Sequence, residues 1–269
     1  EISDILKLAN ETHISVVPRG GAASLYAYTS IMPRRSIVID MTRLNHIIDI
    51  DEINRNVTTE AGITTSELAT KVKEKGFYVH TVFCPYFADT LGGLIAGVHG
   101  GGWPSDRSST GTLWHYILGL KVVLPTGDIV QTGSGPGTCV TRKQTILREV
   151  PGPDLTGLFI CSGGALGIIT EATLRIFPFS KVNKFGSFTF DTVDNFGRAI
   201  FELTGTTPLP HTHLLGLDPR GSSLAGVNAW GLMYTVKGYS EREVDDRVKT
   251  IEKICENAGG KPGPAGLNG

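Results

Sequence analysis

Glycine constrains this chain more than any apolar pattern does. Thirty-four of its 269 residues are glycine, and they cluster: Gly20-Gly21, Gly92-Gly93, Gly97, Gly100 to Gly102, Gly133 to Gly137 and Gly163-Gly164. Residues without a Cβ gather where backbone turns sharply or must lie against something. Three of these clusters sit at the edge of a β-branched or apolar run, about 70 residues apart, so the fold has to bring bare main chain to several separate places.

Each cluster has a plain reading and a chemical one. After Val16-Val17-Pro18 the chain turns through Arg19-Gly20-Gly21-Ala22-Ala23-Ser24-Leu25, whose consecutive small residues can present N–H groups as an anion-binding nest; a tight turn is the alternative. Neither a G-x-x-x-x-G-K-[ST] loop nor a G-x-G-x-x-G after a strand is present, so Walker and Rossmann phosphate sites are excluded. The second segment, Asp89 to Gly102, is small and apolar at once, as a wall beside a flat ring system needs to be. The third, Ser162 to Thr170, runs into a strand, and its glycines let N–H and C=O groups approach a ligand. The three serve either as close-packing points or as walls for a large planar dinucleotide.

Composition removes other classes. The net charge is -1, from 25 basic and 26 acidic residues, which gives no footprint for nucleic acid or anionic lipid. The longest apolar runs, such as Ile117 to Leu124, fall short of the ~20 residues that span a bilayer, and no basic-then-apolar leader opens the sequence. A cytoplasmic protein, or a soluble subunit peripheral to a membrane complex, is the expectation. Cys84, Cys139, Cys161 and Cys255 are widely spaced, so they read as reduced thiols rather than a metal or cluster site.

The periodicities predict an α+β chain. A helix over 2–10 feeds a strand at 14–17; strands follow at 36–40, 47–50 and 57–61. Thr64-x-x-Glu67 is a capping box for a helix carrying Leu68 and Val72, stopped at Gly76. Runs 117–124 and 129–130 flank Pro125-Thr126-Gly127-Asp128 as a hairpin. Residues 133–152 read as loop, 154–161 as a short helix and 168–176 as a half-buried strand. From about 180 a βαβα unit follows, half of a ferredoxin-like arrangement: strand 187–190, a helix with Val193, Phe196, Ile200 and Leu203 on one face, strand 230–236, and a helix capped by Ser240-x-x-Glu243. The tail 261–269 is loop-like, and a strand is expected after it.

Six ordered motifs carry a resemblance over roughly residues 1–178. They are residues 16–25, Ile-Val-Ile-Asp-Met-Thr-Arg-Leu (37–44), Glu-Ala-Gly-Ile (60–63), Asp-Thr-Leu-Gly-Gly (89–93), residues 118–127 and residues 163–176. Together they resemble the FAD-binding domain of the vanillyl-alcohol oxidase and p-cresol methylhydroxylase superfamily, most closely its D-lactate dehydrogenase and glycolate oxidase flavoprotein subunits. The resemblance implies a two-lobed FAD-binding domain over 1–178, with lobes of about 1–80 and 81–178. The start of a ferredoxin-like α+β cap, or substrate, domain would follow over 179–269.

It also implies a site. Pro18 leads into residues Arg19, Gly20, Gly21, Ala22, Ala23, Ser24 and Leu25, which would wrap the pyrophosphate. Asp89, Thr90, Gly92, Gly93 and Gly97 would line the flavin, and Ile169 and Thr170 would meet the adenine end. Pro85, Ala96, His99, Gly100, Gly111 and Gly167 complete the implied set. For His99 a ring contact and a packed or solvated histidine both stand. Relatives that tether FAD from the first loop use a histidine there; this loop has none, which implies non-covalent FAD. Ala22-Ala23 replace the usual glycine or asparagine, a change that keeps side chains small. The segment 103–110 is longer than usual, leaving the contacts of Ser108, Ser109 and Gly111 open.

The chemistry implied is hydride transfer from a 2-hydroxy acid of the D-lactate or glycolate type to flavin N5. Electrons would pass to an iron–sulfur subunit, an electron-transferring flavoprotein or a quinone. The family's histidine-rich catalytic and metal motif is expected beyond Gly269, so no catalytic residue is assigned. An alcohol, sugar-lactone or phenol oxidase of the same fold, an electron-relay subunit, and a cofactor-free sugar-binding protein are the alternatives. His211-Thr212-His213 has H-x-H spacing without a third ligand and reads as structural, so no metal is expected. Arg34-Arg35 reads as a charged turn, and Trp103, Trp114 and Tyr116 as packing.

Overall fold

A computed structural model describes residues 1–23, 35–80, 88–97, 113–133, 146–148, 152–223 and 226–264. These fall into two compact units, the first running to Phe179 and the second starting at Ser180. In chain order the first contains α1 (Ile2–Thr12), β1 (Ser15–Arg19), β2 (Ser36–Asp40), β3 (Ile47–Asp51), β4 (Asn56–Glu60), α2 (Thr65–Glu74), β5 (Phe77–Val79), α3 (Leu91–Ala96), α4 (Leu113–Tyr116), β6 (Ile117–Val123), β7 (Ile129–Gln131), α5 (Leu155–Phe159) and β8 (Ile168–Pro178).

β8 is the spine of this unit. It pairs antiparallel with β4 on one side and β6 on the other, while β5 pairs with its last residues, Ile176 to Pro178. The resulting sheet runs β3-β4-β8-β6-β7. Strands from residues 47–60 and 117–178 therefore share one sheet. Among the described residues β1 and β2 form a separate, parallel pair. Ala172, Leu174 and Ile176 are fully buried and pack with Val57 of β4, Leu120 and Val122 of β6, Leu68 and Val72 of α2, and Leu91 and Ile95 of α3. The polar face of β8 is matched across the ladder. Thr173 shares a hydroxyl hydrogen bond with Thr58 at 2.9 Å, and Glu171 accepts from Lys121 at 2.8 Å.

Local chemistry explains the boundaries. The Thr64 hydroxyl accepts from the Glu67 amide at 3.2 Å and satisfies a free donor of the first turn of α2. Gly76 ends that helix at φ 79°, in the left-handed region. The β6–β7 hairpin turns at Gly127, also left-handed at φ 86°, and Ser3 of α1 donates to its carbonyl. Leu6 of α1 then packs with Ile39 of β2 and Met41 just after it, and with Val123 and Ile168 of the large sheet. One small cluster thus joins the parallel pair to the rest of the unit.

The second unit contains β9 (Val182–Phe190), α6 (Val193–Gly205), β10 (His213–Leu217), α7 (Pro219–Ser223), β11 (Trp230–Gly238), α8 (Glu241–Asn257) and β12 (Lys261–Pro262). Its antiparallel sheet is ordered β10-β11-β9-β12, the order of a whole split ferredoxin-like motif rather than half of one. Two strands escaped the sequence reading. β10 is a five-residue edge strand interrupted by Gly216, where an added Cβ would meet Phe196 at 2.7 Å. β12 is two residues within the tail read as loop, and Gly263 extends it by donating to Ser187 O at 2.8 Å. On α6 the buried face holds Ala199 and Leu203, with Val193 left 52% exposed at the first turn instead of joining that face. The hydroxyl of Ser240 accepts from the Glu243 amide at 3.3 Å, so the capping expected for α8 forms.

Two substitutions test this architecture. Thr64→Ala removes the α2 cap and should lower unfolding free energy by about 1 kcal/mol. Leu174→Ala, in the doubly paired centre of β8, should cost about 2–5 kcal/mol. Urea denaturation followed by far-UV circular dichroism reads both, and equal small effects would contradict the role given to β8.

Candidate functional site

Three main-chain segments meet beside β8. The start of α3 is tied to the end of β4: Gly92 N donates to Ala61 O at 2.6 Å, Leu91 N to Ile63 O at 2.9 Å, and Thr65 N to Asp89 O at 3.0 Å. Ala61 N in turn donates to Thr170 O of β8 at 2.9 Å. At the other end of α3 the loop entering β8 is stitched on, with Cys161 N donating to Ile95 O at 3.0 Å and Gly163 N to Ala96 O at 2.8 Å. The bend after β1 closes the third side. A Cβ on Gly21 would sit 1.5 Å from the Ala88 carbonyl oxygen, so only glycine fits there.

These segments enclose an open cleft of about 910 Å³, solvent at its mouth included. Pro18, Gly20, Gly21, Ala22 and Ala23 line it from the β1 bend; Asp89, Thr90, Gly92, Gly93, Ala96 and Gly97 from α3 and its approach; Gly167 and Ile169 from the start of β8. The structure thus brings together thirteen of the sequence-derived site residues. Two others point elsewhere. Arg19, the last residue of β1, is exposed and lies outside the lining, in register with Asp40. Thr170 donates its hydroxyl to Lys121 O at 3.1 Å, a bond within the sheet. Alternation along β1 explains Arg19, whose neighbours Pro18 and Gly20 both line the cleft; Thr170 instead spends its hydroxyl inside the sheet, beside the lining residues Ile168 and Ile169. Ser24, Leu25, Pro85, His99, Gly100 and Gly111 lie outside the described residues.

Met41, Ala61, Leu94, Gly163, Gly164 and Ile168 also line the cleft, although the sequence reading did not assign them to the site. Gly163 and Gly164 stood in a recognised glycine cluster. Met41 and Ala61 had no such signal, because register places them: Met41 N donates to Arg19 O at 2.8 Å, just behind the bend.

The cleft's chemistry is that of main chain. Asp89 is the one charged side chain among the described lining residues, so an anionic ligand here meets backbone donors rather than lysine or arginine. Ala22 stands at φ 52°, and a left-handed residue after others of ordinary hand is the geometry that turns successive amides toward one point. Just outside, hydrogen bonds from Thr42 hold the Asp40 carboxyl below the usual carboxylate range, with Arg19 adding to the effect. Burial pushes the Cys161 thiol up; it stays protonated at neutral pH and donates to Gly97 O at 3.4 Å. This leaves Cys161 as a brace of the wall rather than a nucleophile. Among the described residues, no group of three or more His, Cys, Asp or Glu side chains is placed to hold a metal ion, and no helix is long and apolar enough to cross a membrane.

Comparison with known proteins adds an independent finding. Residues 1–133 match the FAD binding domain family. The chain is 28% identical over 256 residues to glycolate oxidase subunit GlcD of Bacillus subtilis (strain 168), covering 95% of this chain and 52% of that protein. It is 36% identical over 176 residues to the mitochondrial D-lactate dehydrogenase [cytochrome] of Arabidopsis thaliana, covering 65% of this chain and 28% of that one. Its fold is shared with p-cresol methylhydroxylase, solved with substrate bound, at a TM-score of 0.73 and 17% identity over 97% of this chain and 55% of that one. The chain thus spans about half or less of the length of these relatives.

A pair of substitutions at the bend tests its geometry. Gly21→Ala should destabilise the ligand-free protein by about 1–3 kcal/mol, because the bend must move off Ala88. Ala22→Gly relieves a left-handed alanine that costs roughly 1–2 kcal/mol, of which the unfolded-state freedom of glycine takes back about half. The melting temperature should fall for the first and hold or rise for the second. A fall for both would mean the bend has another shape.

Proposed function

From the membership of residues 1–133 in the FAD binding domain family, we propose that the cleft holds FAD non-covalently and that the working protein oxidises a 2-hydroxy acid. The convergence of the β1 bend, α3 and the start of β8 on one cleft carries this reading. FAD fits what lines it. A diphosphate needs N–H donors, which the bend from Gly20 to Ala23 brings to the cleft, its two glycines letting it close against Thr90 and Ala88. A flat ring system needs smooth apolar walls, which Ala61, Leu94, Ala96 and Ile168 provide. The glycines between them let main-chain groups reach ring edges.

Bound there, FAD supplies a two-electron acceptor suited to a carbon–hydrogen bond next to a hydroxyl. The chain's own residues bind and orient. Main-chain donors at the bend meet the diphosphate, and the walls at Leu94 and Ile168 shed water from the ring system. Asp89 keeps a carboxylate at the cleft, where it can accept from a ring or sugar donor. The 2-hydroxy acid as substrate, of the D-lactate or glycolate kind, draws support from the names of the two relatives. A partner protein or quinone that takes the electrons onward belongs to the same reading.

The purified chain, loaded with FAD and precipitated with acid, should release its flavin into the supernatant; yellow colour kept in the pellet contradicts non-covalent binding. Under anaerobic conditions the flavin of the working protein should bleach with at least one of D-lactate, glycolate and D-2-hydroxyglutarate. Flavin that none of them reduces would remove the hydroxy-acid assignment while leaving FAD in place.

A further inference from the structure

The cleft has a back as well as walls. Met41 and Ile168 line it, and both are also buried, at 6% and 4% exposure, in the cluster that holds Leu6 of α1, Ile39 and Val123. They come from different sheets. Met41 follows β2 and its N–H donates to Arg19 O at 2.8 Å, just before the bend, whereas Ile168 opens β8 opposite Val123 of β6. Ile39 and Met41 belong to no other buried apolar cluster among the described residues. Thus α1 is the element that packs the parallel pair onto the large sheet from behind the cleft.

Docking, rather than propensity, holds α1 in place. At 11 residues, with no side-chain cap at Glu1, it is too short to persist alone. Ile2, Ile5, Leu6 and Ala9 fall on one helical face, and the first three belong to the cluster. Both ends are pinned to the tip of the β6–β7 hairpin, Ser3 donating its hydroxyl to Gly127 O and Asn10 its amide to Pro125 O. The helix presses on that tip, since a Cβ on Gly127 would lie 2.7 Å from Lys7 Cγ. We propose that α1 is a back clamp for the cleft and Leu6 its positioning residue, which sets how far Met41 and Ile168 project toward the ligand. Leu6 itself does not line the cleft. Space opened behind an unbranched methionine is space it can fall back into, so the wall retreats when its backing is removed. Coupling of this kind is reciprocal: a ligand that presses on the wall steadies α1 by the same factor. The inference rests on the cleft being the FAD site.

The test uses the full chain with FAD as the probe. Quenching of flavin fluorescence should show Leu6→Ala binding roughly fivefold to a hundredfold more weakly, while Leu6→Met, which restores the volume, binds close to wild type. Val72→Ala, in the buried face of α2 and absent from the cleft lining, measures what lost stability does by itself; it should leave FAD affinity within about twofold. Ser3→Ala combined with Asn10→Ala frees the ends of α1 without touching the cluster, should weaken FAD binding in the same direction, and decides the matter where Leu6→Ala does not fold. Hydrogen exchange read by NMR should show the amides of Leu6 to Asn10 slowing when FAD is added to the wild-type chain. Wild-type affinity in Leu6→Ala, a loss equalled by Val72→Ala, or α1 amides indifferent to bound FAD overturns the inference and leaves the cofactor reading standing. A wild-type chain that takes up no FAD overturns the cofactor reading and the inference with it.

Discussion

The hydrogen bond from Gly92 N to Ala61 O, at 2.6 Å, is the contact on which the rest of the site depends. It holds the start of α3 against the end of β4, one of the strands paired with β8. Both residues line the cleft. Gly92 has no room for a side chain, since a Cβ there would meet the Ala61 Cβ at 2.8 Å. From that junction the loop entering β8 is reached through main-chain bonds, and the bend after β1 through close contacts and the bond from Gly21 N to the Thr90 hydroxyl. A site built this way has its geometry fixed by sheet register, and a shift of one residue in β4 or β8 would dismantle it.

That construction explains which parts of the molecule were legible in the sequence. Capping boxes are local, so Thr64 and Ser240 announced their helices, and the Pro125 to Asp128 turn announced its hairpin. The glycine clusters were legible as well, because bare backbone is rare enough to stand out. What local pattern cannot show is which side of a strand a residue takes once its partners are set. Arg19 and Thr170 were drawn into the site by their neighbours in sequence; strand alternation turns Arg19 away, and Thr170 gives its hydroxyl to Lys121 O within the sheet. Met41 and Ala61 are ordinary apolar residues, placed at the cleft only through bonds to Arg19 and Thr170 that cross long stretches of chain.

The second unit makes the same point from the opposite direction. Its helices were readable from capping and periodicity, whereas β10 and β12 were not. Five residues with a glycine inside, or two residues before a proline-rich tail, carry no period to read. Pairing with longer strands makes them strands: β10 lies along β11, and β12 along the end of β9. The sheet order then follows from the connections, since each of α6 and α8 packs against the sheet it bridges. Structure here lives in long-range register, the quantity a single sequence encodes most weakly.

The claim at the centre of this account is that distant stretches of main chain converge on one FAD molecule. Amide hydrogen exchange of the chain with and without FAD, resolved to single residues, measures it directly. Amides of Ala22 and Ala23, of Gly93, and of Gly164 to Gly167 should gain protection together, at the same FAD concentration. Protection confined to one of these segments, or appearing only outside them, would contradict the shared site.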